Sequence, residues 1–219
     1  MKRKRLLCVV LALALLFSAQ SAAAAAEAAN ERSMIITATT RLPVVEVTVP
    51  SVGNVYLNPF QLPVDVNGEY TNEQVISYPL YVSSESDAPL QVDVQVTGAV
   101  KPKSDMTLAS SSTKGSSSKD KMAFVYFEMH SSRSYDPYDV EWDAAYDASK
   151  HIPVLTGGAS KTNVVTLSPL GMYGEPVAGS YAAFRLTGDA IVSPASAWTS
   201  QDGIDVTIAF TFTPIPFES

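Results

Sequence analysis

QVISYPLYVSSESDAPLQVDVQVTG, residues 74–98, holds the clearest strand pattern in the chain. In its second arm Leu90, Val92, Val94 and Val96 alternate with Gln91, Asp93, Gln95 and Thr97. Successive side chains of a strand point to opposite faces, so this arm has one apolar face and one polar face. The first arm carries Val75, Ile76, Leu80, Tyr81 and Val82 and is interrupted by Pro79. Ser83–Pro89, rich in Ser, Asp and Glu, reads as a solvated turn, and the whole stretch reads as a β-hairpin. A hairpin with one apolar face is not stable alone in water, so the rest of the chain has to cover it.

Ile204–Thr213 repeats the pattern, with Ile204, Val206, Ile208, Phe210 and Phe212 on one face. Met122–Met129 is almost wholly apolar and suits a strand buried on both sides. β-Branched runs at Ser33–Thr40 and Val44–Val49, with shorter ones at Val55–Leu57, Val64–Gly68, Ile152–Leu155, Asn163–Leu167, Tyr181–Thr187 and Ala190–Val192, add further strands. Gly188-Asp189 marks a bulge between the last two. One helical turn is expected near Trp142–Ala148, and no longer amphipathic helix is legible. The expected fold is all-β: a single antiparallel β-sandwich of about 8–10 short strands over residues 27–219. It carries a mobile Ser/Lys-rich loop at 101–121 and an acidic aromatic loop at 131–150.

Met1-Lys2-Arg3-Lys4-Arg5, an apolar run from Leu6 to Phe17 and the small residues up to Ala26 have the layout of a secretory signal peptide, residues 1–26. The apolar run is shorter than the roughly 20 residues that span a bilayer. Cys8, the single cysteine, lies inside it, so the mature chain is expected to hold no disulfide, thiolate metal site or cysteine nucleophile. Four of the 15 basic residues precede Glu27, whereas all 22 acidic residues lie at or beyond it. A mature surface that acidic repels nucleic acid and anionic lipid. The expected location is extracellular or at the cell surface.

No catalytic motif is present. His130 and His151 sit in no zinc spacing and flank loops, where histidines are usually solvated. The densest polar cluster is Tyr135–Asp147, with five carboxylates in the twelve residues from Asp136 to Asp147. Asp136, Asp139, Glu141, Asp143 and Asp147 form a candidate calcium set, because Ca²⁺ takes six to eight oxygen ligands, although the EF-hand spacing is absent. Tyr135, Tyr138, Trp142 and Tyr146 form a candidate surface for a glycan or a protein partner. The plainer reading is an exposed acidic loop whose tyrosines pack on the sheet edge. Trp198 reads as a cap on one end of the core. Val206–Phe212, uncharged and without proline, reads as a paired interior strand. Exposed, it would invite strand addition, with Ser33–Val49 of a neighbouring molecule as the donor.

VYLNPF (Val55–Phe60), the 74–94 stretch and AWTSQDGIDVTIAFTFTP (Ala197–Pro214) together resemble uncharacterised secreted proteins of Gram-positive, clostridia-like bacteria. The layout is more loosely similar to the camelysin/TasA group of biofilm-matrix proteins. That likeness implies a cysteine-free sandwich that assembles by donating an N-terminal strand. The expectation is therefore a secreted, non-enzymatic structural or interaction protein acting through protein–protein contacts or self-assembly. A carbohydrate- or ligand-binding module using the acidic aromatic loop, with or without calcium, is the alternative.

Overall fold

In the computed structural model, residues 45–59, 74–114, 116, 118, 120–191 and 198–216 are described. All lie in one compact unit, Pro43–Ser219. The signal peptide expected at residues 1–26 and the strands expected at Ser33–Thr40 and Val64–Gly68 lie outside the described residues. The described strands are β1 (Val47–Thr48), β2 (Val55–Leu57), β3 (Val75–Ser77), β4 (Leu80–Ser84), β5 (Leu90–Val100), β6 (Thr107–Leu108), β7 (Met122–Ser131), β8 (Ile152–Pro153), β9 (Ala159–Leu167), β10 (Tyr181–Ala190) and β11 (Ile204–Pro214). The protein is all-β, with two sheets packed on one another and no helix among the described residues. The turn expected near Trp142–Ala148 is irregular chain.

In the larger sheet β10 is central. It pairs with β7 on one side, in unbroken antiparallel register from Ala182↔Ser131 to Ala190↔Ala123. On its other side β4 and β3 lie end to end, flanked by β1 and β2 respectively. The break between them is at Tyr78-Pro79, because proline supplies no N–H to a ladder. There the Ser77 hydroxyl accepts the Leu186 N–H at 2.7 Å. β6 and β8 join the far edge of β7, β6 as a parallel neighbour. The smaller sheet has the order β11-β5-β9, and β11 follows β5 through eleven residue pairs.

The expected hairpin is not formed. β4 belongs to the larger sheet and β5 to the smaller one, so the chain crosses between sheets at 85–89. The alternation of the second arm matches the structure: Leu90, Val92, Val94 and Val96 enter the core from the smaller sheet, and Val82 of β4 enters it from the larger one. The connection is solvated on one side only, where Glu85 and Asp87 are exposed. Ser84, Ser86 and Ala88 are buried, and the two serine hydroxyls accept the N–H groups of Ser86 and Ala88. A run of Ser, Asp and Glu looks like a surface turn, yet serine oxygens can satisfy buried backbone equally well.

Between the sheets lie Leu90, Val92, Val94 and Val96 of β5, Val125, Phe127 and Met129 of β7, and Val82, Ala182 and Phe184. Trp198 caps this core as expected, its indole N–H donating to the Ile191 carbonyl. β7 is also buried on its outer side, where Phe124 and Tyr126 pack with Ala109 and Tyr146. The Ser/Lys-rich stretch helps to cover it. It contributes β6, buries Met106, Ala109 and Thr113, and hangs from the buried Asp189 carboxylate, which accepts from Thr113 N–H, Thr113 Oγ1 and Ser112 Oγ. Its far end is held by Lys121, paired with Asp202 at 2.9 Å and Asp105 at 2.6 Å.

The bulge expected at Gly188-Asp189 is absent, because Gly188 adopts φ 155° and keeps β10 in step with β7. The bulge falls instead between Val92 and Val94 opposite β9, where Asn163 takes φ 51° and donates its N–H to Asp93.

A Cβ at Gly188 would stand 1.9 Å from the Phe124 carbonyl oxygen. Gly188→Ala should therefore cost more than about 4 kcal/mol or abolish folding, read by urea denaturation. Asp202 gives a pH prediction. Burial works to raise its carboxyl, but Lys121, the Thr199 N–H and the Ser104 hydroxyl outweigh it and bring it from 3.8 to about 2. Its stabilisation is complete above the unfolded value and is lost as pH falls from about 4 towards 2. In acid titrations of stability Asp202→Asn should lack that loss, starting from a level about 1–2 kcal/mol lower at pH 7.

Candidate functional site

The outer face of β7 carries Phe124, Tyr126, Glu128 and His130 at successive i, i+2 positions, by the period of a strand. The segment 131–151 folds back over this face. Glu128 is fully buried, with 0% of its side chain exposed. A lone carboxylate there would be untenable, and its surroundings answer each oxygen. Arg185, its direct partner across the β7–β10 ladder, donates from Nε to Oε2 at 2.9 Å. Oε1 accepts the Asp143 N–H at 2.6 Å and lies 2.8 Å from His130 Nε2. Burial pushes the Glu128 carboxyl up, but His130, the Asp143 N–H and Arg185 together hold it below the ordinary glutamate value.

Asp143 and His151 complete the cluster. His151 Nε2 is 3.1 Å from Asp143 Oδ2 and 4.0 Å from Glu128 Oε1, and His130 Nε2 is 3.9 Å from Asp143 Oδ2. One ligand-type atom from each of the four residues lies within 4.8 Å of all the others. The Lys150 ammonium contacts both Asp143 oxygens and is the first cause holding that carboxyl low. His151 is buried, stacked on Tyr126 with Tyr146 beside it. Its Nδ1 accepts the Asp147 N–H at 2.9 Å, so the proton is on Nε2, pointing at Asp143. Trp142 covers the cluster, with the Arg185 guanidinium 4.6 Å from its ring centre and the His130 ring edge-on. Such a set can hold a cation or relay a proton, since imidazole and carboxylate do both.

Of the five carboxylates in the calcium set, only Asp143 enters this cluster. Asp139 and Glu141 pair with Arg133 on the surface. Asp136 accepts the Tyr138 N–H, and Asp147 accepts from Ser149, each within its own turn. The aromatic set divides as well. Tyr135 is 78% exposed and Tyr138 53% exposed, the latter edge-on to Tyr81. Trp142 and Tyr146 face inward on Arg185 and on the Phe124–Tyr126 pair.

The two histidines, read as solvated loop residues, are the main correction. His151 is buried and His130 is mostly so. Part of this was within reach of the sequence, because Glu128-Met129-His130 places an acid and an imidazole on one face of a strand. No periodicity leads to Asp143 or His151, which arrive through an irregular loop. Comparison with protein-family models, curated proteins and solved structures gives no match for the chain.

Glu128→Gln keeps the shape and removes the charge facing Arg185. It should cost about 3 kcal/mol in urea denaturation. A double-mutant cycle with Arg185→Gln should recover a coupling of about 1–3 kcal/mol, because each single change strands the other partner.

Proposed function

We propose that the chain is a secreted, non-enzymatic interaction protein, a β-sandwich that self-assembles by strand addition along β11. The free edge of β11 carries this reading. Among the described residues β11 pairs only with β5, leaving eleven residues of backbone on its other side. Val206–Thr213 bears no charge, proline or glycine, the usual devices that blunt a sheet edge. Its inward row of Val206, Ile208, Phe210 and Phe212 is only half-buried, whereas the matching row on β5 is fully buried. A cleft of about 350 Å³ opens beside this edge, walled by Val52, Val55, Leu80, Phe184 and Leu186. An added strand would pair with the open backbone and set alternate side chains into the cleft.

The occupant we favour is Ser33–Thr40 (SMIITATT) of a second copy, which is β-branched, uncharged and long enough to follow most of β11. The donor is shorter than the whole 33–49 stretch, because β1 pairs with β4 of its own molecule at Val47↔Ser84. Such a head-to-tail contact leaves one edge open at each end and so builds fibres rather than closed pairs. The layout of residues 1–26 supports an extracellular setting.

Light scattering and electron microscopy of chains beginning at Glu27 and at Arg41 test this. The longer chain should form filaments or large oligomers. The shorter should be a folded monomer that binds a peptide of residues 33–40 with a rise in Tm. A longer chain that stays monomeric at hundreds of micromolar, or a shorter one that is unfolded, overturns the reading.

A further inference from the structure

We infer that Glu128 Oε1, His130 Nε2 and Asp143 Oδ2 are the protein ligands of a divalent transition-metal site best suited to zinc, and that His151 positions Asp143 without touching the ion. The spacing supports three donors around one ion. Ligands bonded to zinc at 2.0–2.2 Å in a tetrahedron stand about 3.3 Å apart. His130 Nε2 lies 2.8 Å from Glu128 Oε1 and 3.9 Å from Asp143 Oδ2, on either side of that value. Shifts of about half an ångström, within reach of side-chain torsions, would set His130 at the right spacing from each carboxylate, and the ligand atoms of the group already lie within 4.8 Å of one another.

The hydrogen bonds sort the two histidines. A ligating imidazole must offer a lone pair at one nitrogen and carry its proton on the other. His151 cannot do this at Nε2, because its Nδ1 already accepts the Asp147 N–H and its ring is locked against Tyr126. A proton on Nδ1 would face another N–H. His130 has no such restraint. Its described contacts are made at Nε2 and through the ring edge on Trp142, and 24% of its side chain is exposed. Its proton can move to Nδ1 and meet water, which frees Nε2 for the ion.

The carboxylates are arranged to match. Arg185 holds Glu128 by Oε2, and the Asp143 N–H takes one lone pair of Oε1, which leaves the other to the ion in place of the His130 N–H. His151 Nε2–H donates to Asp143 Oδ2 and steadies it, the kind of outer contact that orients a metal-bound carboxylate. Lys150, 57% exposed on a flexible stem, can keep Oδ1 and give up Oδ2. Asp143 is itself 26% exposed, so solvent reaches the ligands from this side and can fill the remaining coordination positions. One imidazole among oxygen donors favours zinc and its transition-metal neighbours over calcium or magnesium, which prefer oxygen alone.

The test is zinc titration of the chelator-treated chain, followed by thermal unfolding, calorimetry and long-range ¹H–¹⁵N spectra of the imidazoles. Saturating zinc should raise Tm by about 5–10 °C, with calcium inert at the same concentration. His130 should move to the Nδ1–H form, while His151 keeps its Nε2–H signature. His130→Ala and Asp143→Asn should each weaken zinc binding at least 100-fold, while Arg133→Ala, on the surface of the same loop, leaves it intact. The imidazole spectra of the unaltered chain decide the matter even if a variant folds poorly. The inference is overturned if millimolar zinc moves neither Tm nor the His130 signals. Binding that survives His130→Ala, a tautomer change at His151, or equal binding of calcium would overturn it as well.

Discussion

β7 has no solvent side, and most of the architecture answers that fact. Its inner row faces the second sheet, as expected of a strand in a two-sheet protein. Its outer row, Phe124, Tyr126, Glu128 and His130, also needs a cover, and no third sheet is present among the described residues. The acidic aromatic loop and the Ser/Lys-rich stretch supply it. Neither has the composition of a core segment, so each contributes a few apolar side chains and is held by polar anchors. Asp189 grips Thr113 and Ser112, Asp202 grips Lys121, and Glu128 grips the Asp143 N–H. Buried carboxylates accepting backbone and side-chain protons do here what packing does elsewhere in the molecule.

Glu128 follows from the same constraint. Placed under the cover, its charge had to be met on both oxygens, and each neighbouring element provides one answer: Arg185 from β10, His130 from β7 and the Asp143 N–H from the loop. Removing any of them leaves a buried charge short of a partner, so the cluster ties loop to sheet as well as being a candidate site.

Much of the fold is legible from alternation. β5 and β11 are visible as period-two rows, and β7 as an unbroken apolar run, because a half-buried strand and a doubly buried strand write different patterns. Alternation states which face of a strand is buried, but not which sheet the strand joins. Hence β4 and β5 read as a hairpin when they lie on opposite sides of the core. Two of the serines that make the crossing look like a surface turn, Ser84 and Ser86, are the groups that satisfy the backbone on its buried side. The site was legible only where it lies on a strand, in the Glu128-Met129-His130 triplet. Asp143 and His151 are brought in by a loop path that depends on Asx turns, aromatic stacking and ion pairs, none of which leaves a periodic trace.

The pairing of β5 with β11 also has a kinetic meaning. Leu90 meets Pro214 and Val100 meets Ile204, so the smaller sheet joins segments more than a hundred residues apart in the chain. Closing so large a loop precedes any reward from the contacts it makes, and chains with such connections fold slowly. The core cannot be sealed until the polypeptide has been made as far as Pro214, and nothing local to β5 can hold it shut before then. The order in which the chain is made therefore leaves β5 with one edge unpaired until the last described strand arrives.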